Sequence, residues 1–243
     1  MTDQHTHILP GMDDGSKSTE MSLELLRAEA AQGVGTVILT PHYDRMRESS
    51  NHFLERRSLS WETLREAILT LPEEERESLP SLLLGAEVAW TPDLTECRHL
   101  ADLCITGTQA FLLELPVFPW RSSIFIQIQD LMTSTGLTPV IAHIDRYWTS
   151  QKPELLKELF SLHLPVQLSA ETLLHFSTRG KALKALLSGQ VRYLMSDCHD
   201  PRYRRPNLGQ ALAVIEKKLG ENVRRQLEDE TDGLLRRYAL ART

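Results

Sequence analysis

The chain has 243 residues, 41% hydrophobic and 25% charged, which is the make-up of an ordinary globular protein able to bury a full core. A net charge of −6 argues against nucleic acid or an anionic membrane surface as the main partner. No apolar run is long enough to insert into a bilayer, and the three cysteines show neither a disulfide framework nor a zinc-finger spacing, so a cytoplasmic enzyme is expected.

Seven short strand-like runs recur, at residues 4–7, 36–40, 82–87, 111–115, 139–143, 165–168 and 193–196. Helical spacing of apolar residues fills most of the gaps, at 18–31, 54–71, 124–135, 153–163 and 181–187. The acidic stretch 72–78 reads as a solvated helix end or loop, and 207–243 as two helices packing on the rest. Regular alternation predicts an α/β fold with a largely parallel sheet wrapped by helices, in one domain spanning 1–243.

The first run opens the stretch QHTHILPGMDDG. In an extended strand, side chains two apart share a face, so His5 and His7 can reach one ion. The Pro10-Gly11 turn can bring a carboxylate back beside them. Other metal-ligand types stand at the ends of later runs: His42 in TPHYD, Glu87 in GAEV, Glu114 in LLELP, His143 in PVIAHIDR, and Asp197 and His199 in YLMSDCH. Parallel strands in a barrel bring their C-terminal ends to one face, so these residues are expected to meet. Any one of them alone reads as a loop cap. The whole set favours a divalent transition metal such as manganese, iron or zinc. His52, His99, His163 and His175 lack such placement and read as surface or core histidines.

Taken in order, HTHILPGMDDGS, TPHY, GAEV, PVIAHIDRY and SDCH resemble the PHP (polymerase and histidinol phosphatase) superfamily. More narrowly, they are similar to the tyrosine-protein phosphatases of bacterial capsule and exopolysaccharide systems, the CpsB/CapC group, across residues 3–220. The resemblance implies a distorted seven-stranded (β/α) barrel of the PHP type holding three divalent ions, with manganese the expected metal. It assigns His5, His7, Glu87 and Asp197 to one ion, Glu114 and His143 with a bridging Glu87 to a second, and Asp14, His42 and His199 to a third. Two arginines are expected on the phosphate. Arg146 matches one; in DPRYRRP the spacing favours Arg204, with Arg205 left open by the proline that follows.

A metal-bound water is far more acidic than bulk water, so a bridging hydroxide is the expected nucleophile on phosphotyrosine. The implied partner is a phosphotyrosyl protein, a bacterial tyrosine autokinase. A histidinol-phosphate or other small-molecule phosphatase and a non-catalytic kinase-binding regulator are the alternatives. Cys198 and Arg204 also reproduce a Cys-x5-Arg spacing, but Asp200 and Pro201 spoil the phosphate cradle that a nucleophilic thiolate needs. Tyr43, Trp90, Phe118, Trp120, Tyr147, Trp148 and Tyr203 lie near the ligands, and read either as apolar cover for loops or as a stacking mouth for the substrate ring.

Overall fold

The structure, a computed structural model, describes residues 1–239. Its elements run β1 (Thr2–Thr6), α1 (Thr19–Ala30), β2 (Thr36–Leu39), β3 (His42–Tyr43), α2 (Ser50–Leu69), α3 (Glu73–Ser78), β4 (Ser81–Leu84) and β5 (Glu87–Ala89). Then follow β6 (Ala110–Glu114), α4 (Ser123–Thr135), β7 (Thr138–Ile141), α5 (Pro153–Ser161), β8 (Gln167–Ser169), α6 (Glu171–Leu174), α7 (Phe176–Leu187), β9 (Tyr193–Met195), α8 (Leu208–Leu219) and α9 (Glu221–Arg237). The helices start where capping chemistry allows: the Ser18 hydroxyl accepts from the Met21 N–H at 3.3 Å, and Pro153 opens α5. The acidic stretch 72–78 forms the short helix α3, and the last predicted helix reaches residues 240–243, which lie outside the described residues.

All strand pairs are parallel, in three sheets ordered β1-β2-β4, β3-β5-β6-β7 and β8-β9. Among the described residues the ladders therefore do not form one continuous closed sheet. Single parallel bridges join their edges, Thr6 to Cys198 and Ile141 to Val166.

The predicted run 82–87 breaks into two strands, β4 and β5, and the run 36–40 is followed by an unexpected short strand, β3. Pro41 has no N–H to give a ladder, so β2 stops and β3 restarts beyond it. The neighbouring chain breaks at the matching place, between Leu84 and Glu87, and the register survives: Leu39 faces Leu84 and His42 faces Glu87. Arg57 of α2, buried by its own packing, donates to the Gly85 carbonyl at the break at 2.8 Å and to Asp102 O at 2.8 Å. Both strands thus bend together without slipping.

Alternation along the strands divides the apolar residues into two cores. Val37, Leu39, Phe111, Leu113 and Ile141 belong to the large core shared with the helices. Ile38, Ala110, Leu112, Val140 and Tyr193 form a second, smaller cluster, joined there by Leu234 of α9. In β6 the residue two beyond Leu112 is Glu114, so this inward face runs directly into the cluster of polar side chains.

A bulge in β1 matters for the site. Asp3 pairs with Val37 but Thr6 with Leu39, so β1 spends one residue more than β2 between them. Consecutive residues Gln4 and His5 both reach Gln167, the former at 3.4 Å from its Nε2 and the latter at 3.2 Å from its Oε1. The extra residue re-aims the strand, turning His5 and His7 inward while Asp3 bonds the Ser196 N–H on the other side.

Candidate metal centre

The loop after β1 folds back tightly on its own strand. The Ser16 N–H donates to His7 O at 2.9 Å and the Gly11 N–H to Ser16 O at 2.8 Å. A Cβ at Gly15 would stand 2.2 Å from His7 O and 2.4 Å from His7 Cβ, so only glycine permits this approach. The fold-back delivers Asp13 to His7, its Oδ2 accepting from Nδ1 at 2.7 Å and from the His42 N–H at 2.9 Å. Asp14 instead lies beside the Nε2 atoms of His199 and His42, at 3.3 and 3.5 Å.

His42, Glu87 and Glu114 arrive through strand register, His42 opposite Glu87 and Ala89 opposite Glu114. His143 and Asp197 follow β7 and β9 and adopt left-handed backbone, φ 31° and 55°, a conformation that non-glycine residues take at a cost and that His163, outside the cluster, shares.

All nine residues expected as ligands come together. Donor atoms of seven of them form three interlocking groups, each within 4.8 Å: His5, His7 and Glu87; His42, Glu87 and Glu114; His7, Asp14, His42 and His199. His143 Nε2 lies 2.6 Å from Glu87 Oε1 and 3.5 Å from Glu114 Oε1, while Asp197 Oδ1 is 3.4 Å from His7 Nε2 and 3.7 Å from His5 Nε2. The grouping differs from the expected partition: Asp197 and His143 lie beside the groups rather than within them, and two histidines are shared. His7 and His42 each belong to two groups, because the loop carrying Asp14 closes over both.

The donor set fits divalent cations. Glu87 Oε2, Asp197 Oδ1 and His199 Nε2 are buried with no hydrogen-bond partner, an arrangement costly to leave uncompensated. The Nε2 atoms of His5 and His7 stand 3.1 Å apart, turned toward the same carboxylates. Imidazoles and carboxylates together suit manganese, iron or zinc. Burial alone would raise the Asp197 carboxyl, yet the adjacent His7 and His5 imidazoles hold it well below the usual carboxylate range. Burial likewise opposes Glu87, and the charge of His5, the hydrogen bond from His143 and the nearby His42 keep it ionised. His199 is pushed down to about 4, by burial and then by the charge of His7, so it presents neutral imidazole.

Arg146 Nη2 and Arg204 Nη2 both donate to Asp197 Oδ2 at 2.6 Å, and both side chains line a cleft of about 730 Å3 above the cluster. Arg205 is exposed and lines neither this cleft nor the neighbouring one. Two residues outside the nine also act on the site and were not singled out as such by spacing. Asp13 fixes His7, and Gln167 holds His5 Nδ1. The DDG stretch carried a signal for Asp13; Gln167 carried none. Of the aromatic residues near the ligands, Tyr43, Trp120 and Tyr147 are buried in the core and Trp90 and Trp148 are half-buried, leaving Phe118 and Tyr203 exposed. Cys198 is wholly buried, its thiol 3.6 Å from Glu29, and burial followed by the Glu29 and Asp3 charges pushes it well above its ordinary value, the opposite of an activated nucleophile.

The sequence matches the family described as "Capsular polysaccharide synthesis, CpsB/CapC" over residues 1–233. The chain belongs to the CpsB/CapC family. It is 27% identical over 243 aligned positions to the tyrosine-protein phosphatase CpsB of Streptococcus agalactiae serotype III (strain NEM316), covering 93% of this chain and 94% of that one. To the tyrosine-protein phosphatase YwqE of Bacillus subtilis (strain 168) it is 28% identical, over 100% of this chain and 94% of that protein. A solved structure from work on YwqE of B. subtilis and CpsB of Streptococcus pneumoniae, presented as unique metal-dependent tyrosine phosphatases, superposes with a TM-score of 0.81 at 26% identity, covering 100% of this chain and 97% of that one. The fold alone is shared with the lactonase Lmo2620 of Listeria monocytogenes, at a TM-score of 0.57 and 14% identity.

Proposed function

We propose that this protein is a metal-dependent tyrosine-protein phosphatase of a capsule or exopolysaccharide system. One observation carries the reading: buried, partnerless imidazole and carboxylate atoms converge below two arginines in a chain that matches CpsB/CapC phosphatases along its length. In the finer form of the proposal, 1–243 make one phosphatase domain, a distorted barrel of seven strand positions, supported by the bridges that tie the three sheets edge to edge. Three divalent ions, manganese by preference, would be held by His5, His7, Asp14, His42, Glu87, Glu114, His143, Asp197 and His199.

Bound divalent ions supply Lewis acidity toward phosphoryl oxygens and water. The chain does the rest. Arg146 and Arg204 present planar guanidinium groups from one side of the cleft and can fork onto the non-bridging oxygens of the phosphate. Asp13 accepts from His7 Nδ1, so Nε2 is the atom that His7 would offer to an ion, giving up its proton on binding. A phenolate with an ordinary pKa of about 10 leaves with less help than an alkyl alkoxide, so the reaction tolerates a site with no dedicated acid. The proposed substrate is a phosphotyrosyl protein, a bacterial tyrosine autokinase. No described helix is long and apolar enough to cross a membrane. We place the protein in the cytoplasm, in keeping with three unpaired cysteines.

The test is hydrolysis of p-nitrophenyl phosphate and a phosphotyrosyl peptide, read together with metal content. Chelation should abolish both activities and manganese restore both. Full turnover by metal-free protein would end the metal reading, and a strong preference for histidinol phosphate would move the substrate to small molecules.

A further inference from the structure

The segment between β6 and α4 is held unusually firmly for a loop. Gln151, only 7% exposed, reaches into it: its Oε1 accepts from the Trp120 N–H at 2.8 Å, and its Nε2 donates to Phe118 O at 2.9 Å and Val117 O at 3.3 Å. Trp120 donates through Nε1 to Pro116 O at 2.7 Å, and its ring packs on Tyr147 with centroids 4.9 Å apart. Tyr147, the neighbour of Arg146, donates in turn to Leu115 O at 2.8 Å. The loop backbone is thus pinned at four consecutive carbonyls, Leu115 by Tyr147 beside Arg146, Pro116 by Trp120 of the loop itself, and Val117 and Phe118 by Gln151.

What this fixed backbone displays is apolar. Val117 is 62% exposed and Phe118 64%. No charged residue stands between Glu114 and Arg121. A segment that merely connected two elements would gain nothing by showing solvent two adjacent apolar side chains from an ordered backbone. Pre-organised apolar area is instead what lowers the entropic cost of docking a partner. The patch lies close to the cleft along the chain: Val117 is three residues beyond Glu114, which lines it, and the intervening Leu115 carbonyl is held by Tyr147, the neighbour of cleft-lining Arg146.

We propose that Val117 and Phe118 form a docking ledge for an apolar side chain that flanks the phosphotyrosine in the protein substrate, with Gln151 as its positioning residue. This rests on the phosphatase reading above. The charge-free loop selects an apolar neighbour over an acidic one, and the contact lies outside the polar cleft that takes the phosphate.

The experiment compares p-nitrophenyl phosphate with phosphotyrosyl peptides in which a leucine is moved through the flanking positions of an otherwise Gly/Ser sequence, all at saturating manganese. Wild-type protein should prefer at least one leucine peptide by about tenfold in kcat/KM, through KM, the gain expected from covering one large apolar side chain. Phe118→Ser and Val117→Ser should erase the preference while leaving p-nitrophenyl phosphate turnover unchanged. Gln151→Ala should raise KM for the preferred peptide with kcat and p-nitrophenyl phosphate turnover unchanged. No leucine preference in the wild type, or a preference that survives Phe118→Ser, overturns the ledge. So does dissociation of a dimer by Phe118→Ser with peptide kinetics intact, which would assign the patch to a second copy of the chain. Loss of manganese-dependent p-nitrophenyl phosphate hydrolysis in the wild type would count instead against the phosphatase reading itself.

Discussion

Asp13 lies outside the nine candidate ligands, yet its removal should damage the metal centre. Its side chain is 6% exposed, and its carboxylate accepts three hydrogen bonds: from His7 Nδ1 at 2.7 Å, from the His42 N–H at 2.9 Å and, through Oδ1, from the Gly15 N–H at 2.9 Å. Hydrogen bonds to a charged group contribute about 1.5–3 kcal/mol each, and water can replace only part of that here. Some of the loss falls on loop stability rather than on the ions, so Asp13→Ala should weaken manganese affinity by about 10–100-fold, or about 1.4–2.7 kcal/mol. Asp13→Asn keeps acceptors for the two backbone N–H groups and should lose less. The assay is competition for manganese against a chelating dye, with circular dichroism to confirm the fold. The pH dependence has a definite sign. Burial opposes ionisation of Asp13, but the hydrogen bond and charge of His7 lower its carboxyl below 3.8, so its stabilising effect is present above that value and lost as pH falls through the lower folded-state one. The stability gap between metal-free wild type and Asp13→Ala should close in strong acid. Unchanged manganese affinity in a folded Asp13→Ala protein would refute the orienting role.

Arg146→Ala and Arg204→Ala should each lower kcat/KM for a phosphotyrosyl peptide by about 2–4 kcal/mol with metal content unaltered, and a silent Arg204→Ala beside a crippled Arg205→Ala would show that the wrong arginine has been assigned. Glu29 tests the packing beneath the site. Burial, then the nearby Asp3 charge, raises its carboxyl well above 4.5, so its contribution to stability is complete below 4.5 and is lost as pH rises through the folded-state value. Glu29→Gln should therefore raise the thermal midpoint at about pH 8, with the difference from wild type vanishing near about pH 4; a difference independent of pH would show that Glu29 is not held protonated.

The convergence of the nine residues was legible because residue type and position agreed. Imidazoles and carboxylates stood at the C-terminal ends of strand-like runs, and parallel strands bring those ends to one face. The starts of α1 and α5 were legible, marked by the Ser18 cap and by Pro153, whereas α2 begins at Ser50 behind its Ser49 cap, four residues before the apolar spacing sets in at Leu54. The start of α7 was not, because Phe176, 92% exposed, and Gly180 break the apolar spacing; there Arg179 holds the chain by donating to Leu173 O and Leu174 O, a bond pattern that no periodicity reports. The break after Leu84 escaped for another reason. Pro41 announces its own break, but the second strand bends because it must keep register with the first. The aromatic residues near the ligands look alike in sequence, and only packing separates the buried Trp120 and Tyr147 from the exposed Phe118.

The bulge in β1 shows most clearly where a spacing rule stops. His5 and His7 share a face, as two-residue spacing implies. Asp3 is also two residues from His5, and the same rule would place it with them. It does not lie there: Asp3 accepts from the Ser196 N–H and neighbours Glu29 of α1, while the adjacent Gln4 and His5 both turn to Gln167. Without the extra residue between Asp3 and Thr6, plain alternation would turn His5 toward α1 along with Asp3. Nothing in the residue types of TDQHT marks a bulge, because what fixes it comes from far along the chain: the Thr231 carbonyl of α9 receives the Gln4 amide, and Gln167 of β8 bonds both Gln4 and His5. The inward aim of the first two imidazoles is thus set by amides from other elements, so the candidate metal centre rests on groups that are not themselves candidate ligands.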